Sequence, residues 1–365
     1  MTNLIFIFRG PYVPKYVISS IQLATKNSGL DVTIMSDKFL RKYFSGLNVH
    51  FVDIGDFYNP EKFNSAKNNV TLDHNFREGF WLHTLERFFI LEQFMDYQSL
   101  NRIFHAELDQ LLFGIDNLIY HLDRLSHRGV FFPFHSPTKA VASVLYCNEL
   151  SSLKKITESA VSGLPFPNEM ELLVRWTSEF PESSIALPTL YDTLIDSETI
   201  KDKRNNQVLS QSEIEGVVDA AEIGLWVGGR DPRNLALNIK PATKFTYPPD
   251  RASIPKEVMK TLNFMFYPEQ KLLTVQENSH GKSYRLYNLH IQSKIHPWLL
   301  DEKNLTSLIN NANTDNPFTV PGTRVIQLNY AFRIILSRIR QEGIRYILLK
   351  IIEVFKFVYK KYLKK

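Results

Sequence analysis

Cysteine is nearly absent: Cys147 is the single one in 365 residues, so no intramolecular disulfide can form and a disulfide-stapled secreted scaffold is excluded. The opening MTNLIFIFRG lacks the charged region and small-residue cleavage site of a secretory signal. No uncharged apolar run approaches the roughly 20 residues that span a bilayer. The expected location is therefore cytoplasmic. With 15 glycines and 18 prolines, and with no internal repeat, collagen-like and low-complexity chains are excluded as well. There is no HExxH, no His-x-His pair and no second dense Asp/His group of the kind a metal-dependent hydrolase gathers around its metals.

What is present is a globular composition, 44% hydrophobic and 13% aromatic, ample for one large or two ordinary domains. The net charge of +5 is unevenly spread. Residues 332–365 hold ten Lys or Arg and two Glu, which leaves the first 331 residues at −3. From Phe332 to Leu363 the apolar and basic residues alternate as in a basic amphipathic helix, broken around Gly343. Such a segment can lie on an anionic membrane surface. Packing, oligomerisation and nucleic-acid binding compete with that reading. Nucleic acid ranks lowest, because no binding fold accompanies the charge.

The rest of the chain reads as an α/β protein. Apolar runs at Leu4–Phe8, Val32–Met35 and Val49–Ile54 suggest strands, with a helix over Tyr16–Thr25 between the first two. A broad apolar face predicts a helix from Trp81 to Tyr97, followed by a strand at Arg102–Phe104. A further helix near Asn117–Ser126, a strand at Val130–Phe134 and an alternating segment at Val141–Tyr146 continue the pattern. Residues 59–79 read as a polar loop, and Lys201–Gln211 as a mobile one. In open α/β sheets ligands meet the carboxyl ends of the strands, which marks Phe8, Arg9, Ser36 and Asp37 as candidates for contact with a nucleotide.

Three motifs can carry chemistry. In Glu107-Leu108-Asp109, alternation along an extended segment puts both carboxylates on one side, and two hard oxygens suit Mg²⁺ or Mn²⁺ holding a diphosphate. His290 can add a nitrogen ligand, and Lys294 is a mobile point charge for phosphate oxygens. In the stretch from Val218 to Asn234, Asp219 is either a base for a sugar hydroxyl or a helix cap, and Asp231 either a second acid or the start of a turn.

Taken in order, Phe80-Trp81, Thr84-Leu85-Glu86-Arg87-Phe88, His105-Ala106-Glu107-Leu108-Asp109, Ser143-Val144-Leu145-Tyr146, Asp219-Ala220-Ala221, Asp231-Pro232-Arg233-Asn234 and Asn288 to Lys294 resemble GT-A glycosyltransferases, in particular those of bacterial capsule and lipopolysaccharide clusters. The resemblance covers roughly residues 3–300. It implies a GT-A-like, Rossmann-related mixed sheet flanked by helices, with a nucleotide-binding half at residues 1–115, an acceptor half at 116–330 and a basic helical tail at 331–365. Glu107 would stand where the family places the first Asp of its D-x-D motif, and with Asp109 and His290 would hold a divalent metal, Mn²⁺ or Mg²⁺. Phe8, Arg9, Asp37, Arg87 and Lys294 would bind the donor; an inverting enzyme would use Asp219 first, or Glu169 or Asp231, as its catalytic base, whereas a retaining one needs none, and the sequence leaves both open. The implied activity is transfer of a sugar from a nucleotide sugar to a glycan or lipid-linked acceptor at the inner face of the cell membrane. A metal-dependent hydrolase and a non-catalytic membrane-surface binding protein are the alternatives.

Overall fold

The structure is a computed structural model describing residues 2–74, 76, 79–194, 207–229, 254–278 and 281–314. Asp231, most of the expected mobile loop and the whole basic tail lie outside the described residues.

The first half alternates strands and helices: β1 (Asn3–Phe8), α1 (Lys15–Asn27), β2 (Val32–Ser36), β3 (His50–Asp53), α2 (Glu61–Ala66), α3 (Phe80–Tyr97), β4 (Ile103–Ala106), β5 (Gln110–Leu112) and α4 (Ile115–Arg124). The second half continues with β6 (Val130–Ser136), β7 (Lys139–Ala140), β8 (Val144–Cys147), α5 (Leu150–Ser162), α6 (Glu169–Glu179), β9 (Ser184–Leu187), α7 (Leu190–Leu194) and β10 (Gln207–Val208). Four further strands follow, β11 (Leu262–Tyr267), β12 (Leu272–Glu277), β13 (Ser283–Leu286) and β14 (Asn288–His290), together with the helices Glu222–Gly228 and Glu302–Ala312 and several shorter ones.

Among the described residues a nine-stranded sheet runs in the order β10-β9-β6-β8-β4-β1-β2-β3, with β7 paired to β6. β8 pairs antiparallel with both β4 and β6, while β1, β2, β3 and β4 are mutually parallel, as are β6, β9 and β10. The fold is the mixed α/β sheet flanked by helices that the sequence suggested. Its apolar strand runs follow from burial on both faces. Within β1, Ile5 joins Phe88, Phe89 and Met95 of α3 and Trp176 of α6, whereas Leu4 and Phe6 join Val17 and Ile21 of α1 and Leu118 and Leu122 of α4. Period-two alternation thus feeds two cores, one on each side.

A third core lies between the antiparallel sheet β11-β12-β13 and the helix Glu302–Ala312, with Phe264, Leu273, Leu286, Leu305 and Ile309 buried in it. β14 leaves this unit to pair antiparallel with β5. That pairing carries the carboxyl-terminal motif back to the strand that follows β4.

The stretch 59–79 is not simply a loop. α2 forms there because Phe63 and Ala66 are buried, and Lys62 donates to both oxygens of Glu92 at 3.0 Å and to Thr157 at 2.8 Å. Six residues are too few to show a helical period in sequence; tertiary anchors make the helix.

Candidate metal and donor site

β4 stops at Ala106, and Glu107-Leu108-Asp109 forms a turn leading into β5 rather than a continued strand. Two backbone bonds fix the turn: Glu107 N donates to the Ser143 carbonyl at 2.9 Å, and Ile291 N donates to the Asp109 carbonyl at 2.8 Å. In the β5–β14 register His290 faces Gln110. One carboxylate oxygen each from Glu107 and Asp109 and one imidazole nitrogen of His290 therefore lie within 4.8 Å of one another. His290 Nε2 is 3.2 Å from Asp109 Oδ1 and 3.5 Å from Glu107 Oε2. The expected trio converges, and β14 rather than strand alternation brings it together.

The tautomer of His290 follows from its other nitrogen. Nδ1 lies 3.2 Å from the Ala220 carbonyl oxygen, which can only accept, so Nδ1 carries a proton and Nε2 is the atom aimed at the carboxylates. Burial alone would pull this imidazole down, but Asp109, Glu107 and Asp219 outweigh it and push its pKa up to about 9. Two hard oxygens with one oriented imidazole nitrogen fit a Mn²⁺- or Mg²⁺-type ion. Such an ion needs the Nε2 lone pair, so at neutral pH its binding must expel the proton held there. Mn²⁺ affinity is accordingly expected to rise about tenfold per pH unit below pH 9. Calorimetry in two buffers of different ionisation heat should show close to one proton released at pH 7.5; pH-independent binding would contradict the assignment.

Two cations flank the trio. Lys294 donates to Asp109 Oδ2, and its ammonium also stands 5.0 Å from the centre of the Tyr16 ring. Burial pushes the Asp109 carboxyl up, but Lys294 and His290 prevail and hold it well below the usual carboxylate range. Lys294 adopts a left-handed backbone, φ 60°, which costs a non-glycine residue about 1 kcal/mol and is typical of strain kept at functional sites.

Arg87, expected among the donor-binding residues, is paired with the carboxylates of the site. Its buried guanidinium donates to Glu107 and lies 3.9 Å from Glu169. It sits behind the acidic pair and positions Glu107. Glu169, the first residue of α6, accepts from Thr84 Oγ1 at 2.8 Å, and burial pushes its carboxyl up against the pull of Arg87. Its link to Glu107, Asp109 and His290 runs through Arg87.

At the carboxyl ends of β1 and β2, Arg9 Nε is 3.3 Å from Asp37 and Arg9 Nη1 is 3.1 Å from Glu86 of α3. Phe8 is buried beneath them in the α1 core. The expected donor candidates Arg9 and Asp37 are thus held side by side. Glu86, to which no sequence signal gave a role, pairs with Arg9 as well.

Asp219 is placed as a clamp rather than a base. It is 2% exposed, and its two oxygens accept from three backbone N–H groups: Ile223 at 3.0 Å, Gly224 at 2.7 Å and His290 at 2.9 Å. Burial pushes the carboxyl up, while His290 and these amides favour the ionised form. All three amides need an acceptor, so little capacity remains for a substrate hydroxyl. The clamp fastens the amino end of helix Glu222–Gly228 to β14. The approach is close enough that a Cβ on Gly224 would fall 2.1 Å from the His290 carbonyl oxygen, so only glycine fits. Asn288 ties the same place together, donating to Gln110 at 2.7 Å and to the Asp219 carbonyl at 2.9 Å.

No protein-family model matches the chain, and no curated protein sequence does either. Among solved structures, mouse xyloside xylosyltransferase 1 in its apo form overlaps with a TM-score of 0.38 at 13% identity, covering 55% of this chain and 92% of that one. The galactosyltransferase LgtC in complex with donor and acceptor sugar analogues gives 0.38 at 13% identity, covering 57% and 84%. A cytidylyltransferase from Leptospira borgpetersenii gives 0.32 at 13% identity, covering 52% and 75%. Overlaps this partial say nothing about what the present chain acts on.

Proposed function

We propose that this chain is a divalent-metal-dependent glycosyltransferase that takes its sugar from a nucleotide-sugar donor. The observation that carries the reading is the convergence of Glu107, Asp109 and His290 Nε2, with Lys294 bonded to the same Asp109, at the end of a sheet strand. Two carboxylates and an imidazole with an adjacent lysine suit a metal-bound diphosphate better than either component alone. Glu107, Asp109 and His290 would hold the ion, whose chemistry is neutralisation of charge on the leaving diphosphate. Lys294, once its anion is shared with the ion, is placed to turn its ammonium to a phosphate oxygen. Arg9 and Asp37, at the ends of two parallel strands, would meet the nucleoside portion. Arg87 and Asp219 fix the two arms of the trio from behind, through Glu107 and through the backbone of His290.

The acceptor in this reading is a glycan or a lipid-linked sugar of a bacterial surface polysaccharide, with residues 331–365 resting on the inner face of the membrane. The resemblance of the sequence motifs and the +8 charge of residues 332–365 support that part. Among the described residues no helix is long and apolar enough to cross a membrane. A hydrolase working with two metals would need a second donor set, and one such group is found among the described residues.

A thermal-shift screen with UDP-, GDP-, CMP- and dTDP-sugars tests the proposal. One of them is expected to raise the melting temperature when Mn²⁺ is present and much less when it is absent. A folded protein that responds to none of the four would sink the reading.

A further inference from the structure

Just after β2 the chain makes a six-residue 3₁₀ segment, Lys38–Tyr43, in which one side chain, Leu40, is buried. Leu40 and the following Phe44 are 0% and 2% exposed and pack into the α1 core, so the segment is fastened to the sheet. Around this anchor Phe39 is 61% exposed and Tyr43 44% exposed, and Lys38, Arg41 and Lys42 are exposed as well. No Asp or Glu occurs from Lys38 to Val52. Among the described residues none of these three cations forms an ion pair with a carboxylate; Arg41 lies over the Phe51 ring at 5.1 Å and Lys42 over the Tyr43 ring at 5.3 Å.

A lone exposed Phe needs no explanation, but two exposed aromatics among three uncompensated cations on an anchored turn do. The body that carries this turn is negative overall, −3 over residues 1–331, so the patch is a local reversal of sign. We infer that Lys38–Tyr43 is an interfacial anchor for an anionic lipid bilayer, with Phe39 and Tyr43 entering the headgroup boundary and Lys38, Arg41 and Lys42 meeting lipid phosphates. Aromatic rings and snorkelling cations side by side are the chemistry of that boundary. A nucleic acid fits less well: six residues of 3₁₀ helix span about 12 Å, short of the several-nucleotide groove that single-strand binders present. Asp37, the residue before the segment, is the partner of Arg9, so the anchor would turn the edge of the sheet that carries the candidate donor residues towards the bilayer. The inference does not depend on glycosyl transfer.

The test uses the full chain with Phe39→Cys carrying an environment-sensitive dye, since Cys147 is fully buried and shielded from labelling. With vesicles of about one-third phosphatidylglycerol in phosphatidylcholine, the dye emission should shift to the blue, and with phosphatidylcholine alone it should not. Replacing Lys38, Arg41 and Lys42 together by Gln should weaken vesicle binding on the order of a hundredfold, from about fivefold per basic residue. Co-sedimentation with no spectral shift at position 39 would mean binding through another part of the chain, and would overturn the inference. So would an unchanged affinity of the triple variant, absence of vesicle binding, or a shift produced by RNA and not by vesicles.

Discussion

Asp109→Asn is expected to lower metal-dependent turnover by a thousandfold or more, equivalent to about 4 kcal/mol of transition-state stabilisation. One atom of this side chain serves the proposed metal and the other holds Lys294, so the substitution strikes both sources of positive charge for a leaving diphosphate. Removing one member of a partly buried ion pair ordinarily costs about 3–5 kcal/mol of stability. Here the cost should fall below that range. His290, whose extra proton is held chiefly by Asp109, can release it once the anion is gone. Turnover with saturating Mn²⁺, alongside denaturant unfolding, separates the two effects. A variant that keeps more than a tenth of the wild-type rate would exclude Asp109 from the metal site.

Asp219→Asn is expected to act the opposite way, chiefly on stability. The amide can accept through one atom only, and its NH₂ would face a backbone N–H at 2.7 to 3.0 Å. Buried donors left without acceptors cost about 1–3 kcal/mol each, so a total of about 3–5 kcal/mol and a fall in melting temperature on the order of 10 °C are expected. Metal affinity should drop with it, because the His290 backbone loses its tether. Were Asp219 a catalytic base, the melting temperature would stay near wild type while turnover collapsed and its acidic pH limb vanished.

The parts of this molecule that were legible in sequence share a physical cause. β1, β2 and α3 are buried so completely that their apolar spacing had to show, and the E-x-D after an apolar strand marked the acidic pair, though as an extended segment and not as the turn it is. What could not be read were the partners. Three charged neighbours on α3 suggest pairing along the helix, yet each reaches across the fold: Glu86 to Arg9, Arg87 to Glu107 and Glu92 to Lys62. Long-range pairing of this kind leaves no periodic trace. The same holds for Asp219, where a base and a cap use an identical side chain; only the three amides around it decide between them. α2 failed to register because two buried side chains and one lysine hold it, not a repeating pattern.

The central claim is that Glu107, Asp109 and His290 form one divalent-metal centre. Crystals soaked in Mn²⁺ at pH 8 and measured at the manganese absorption edge test it most directly. A single strong anomalous peak is expected at coordination distance, about 2.0–2.3 Å, from His290 Nε2 and from an oxygen of Asp109, with Glu107 bound to the ion directly or through a water. An anomalous map with no peak between these three side chains, in crystals that hold Mn²⁺ elsewhere or not at all, would contradict it.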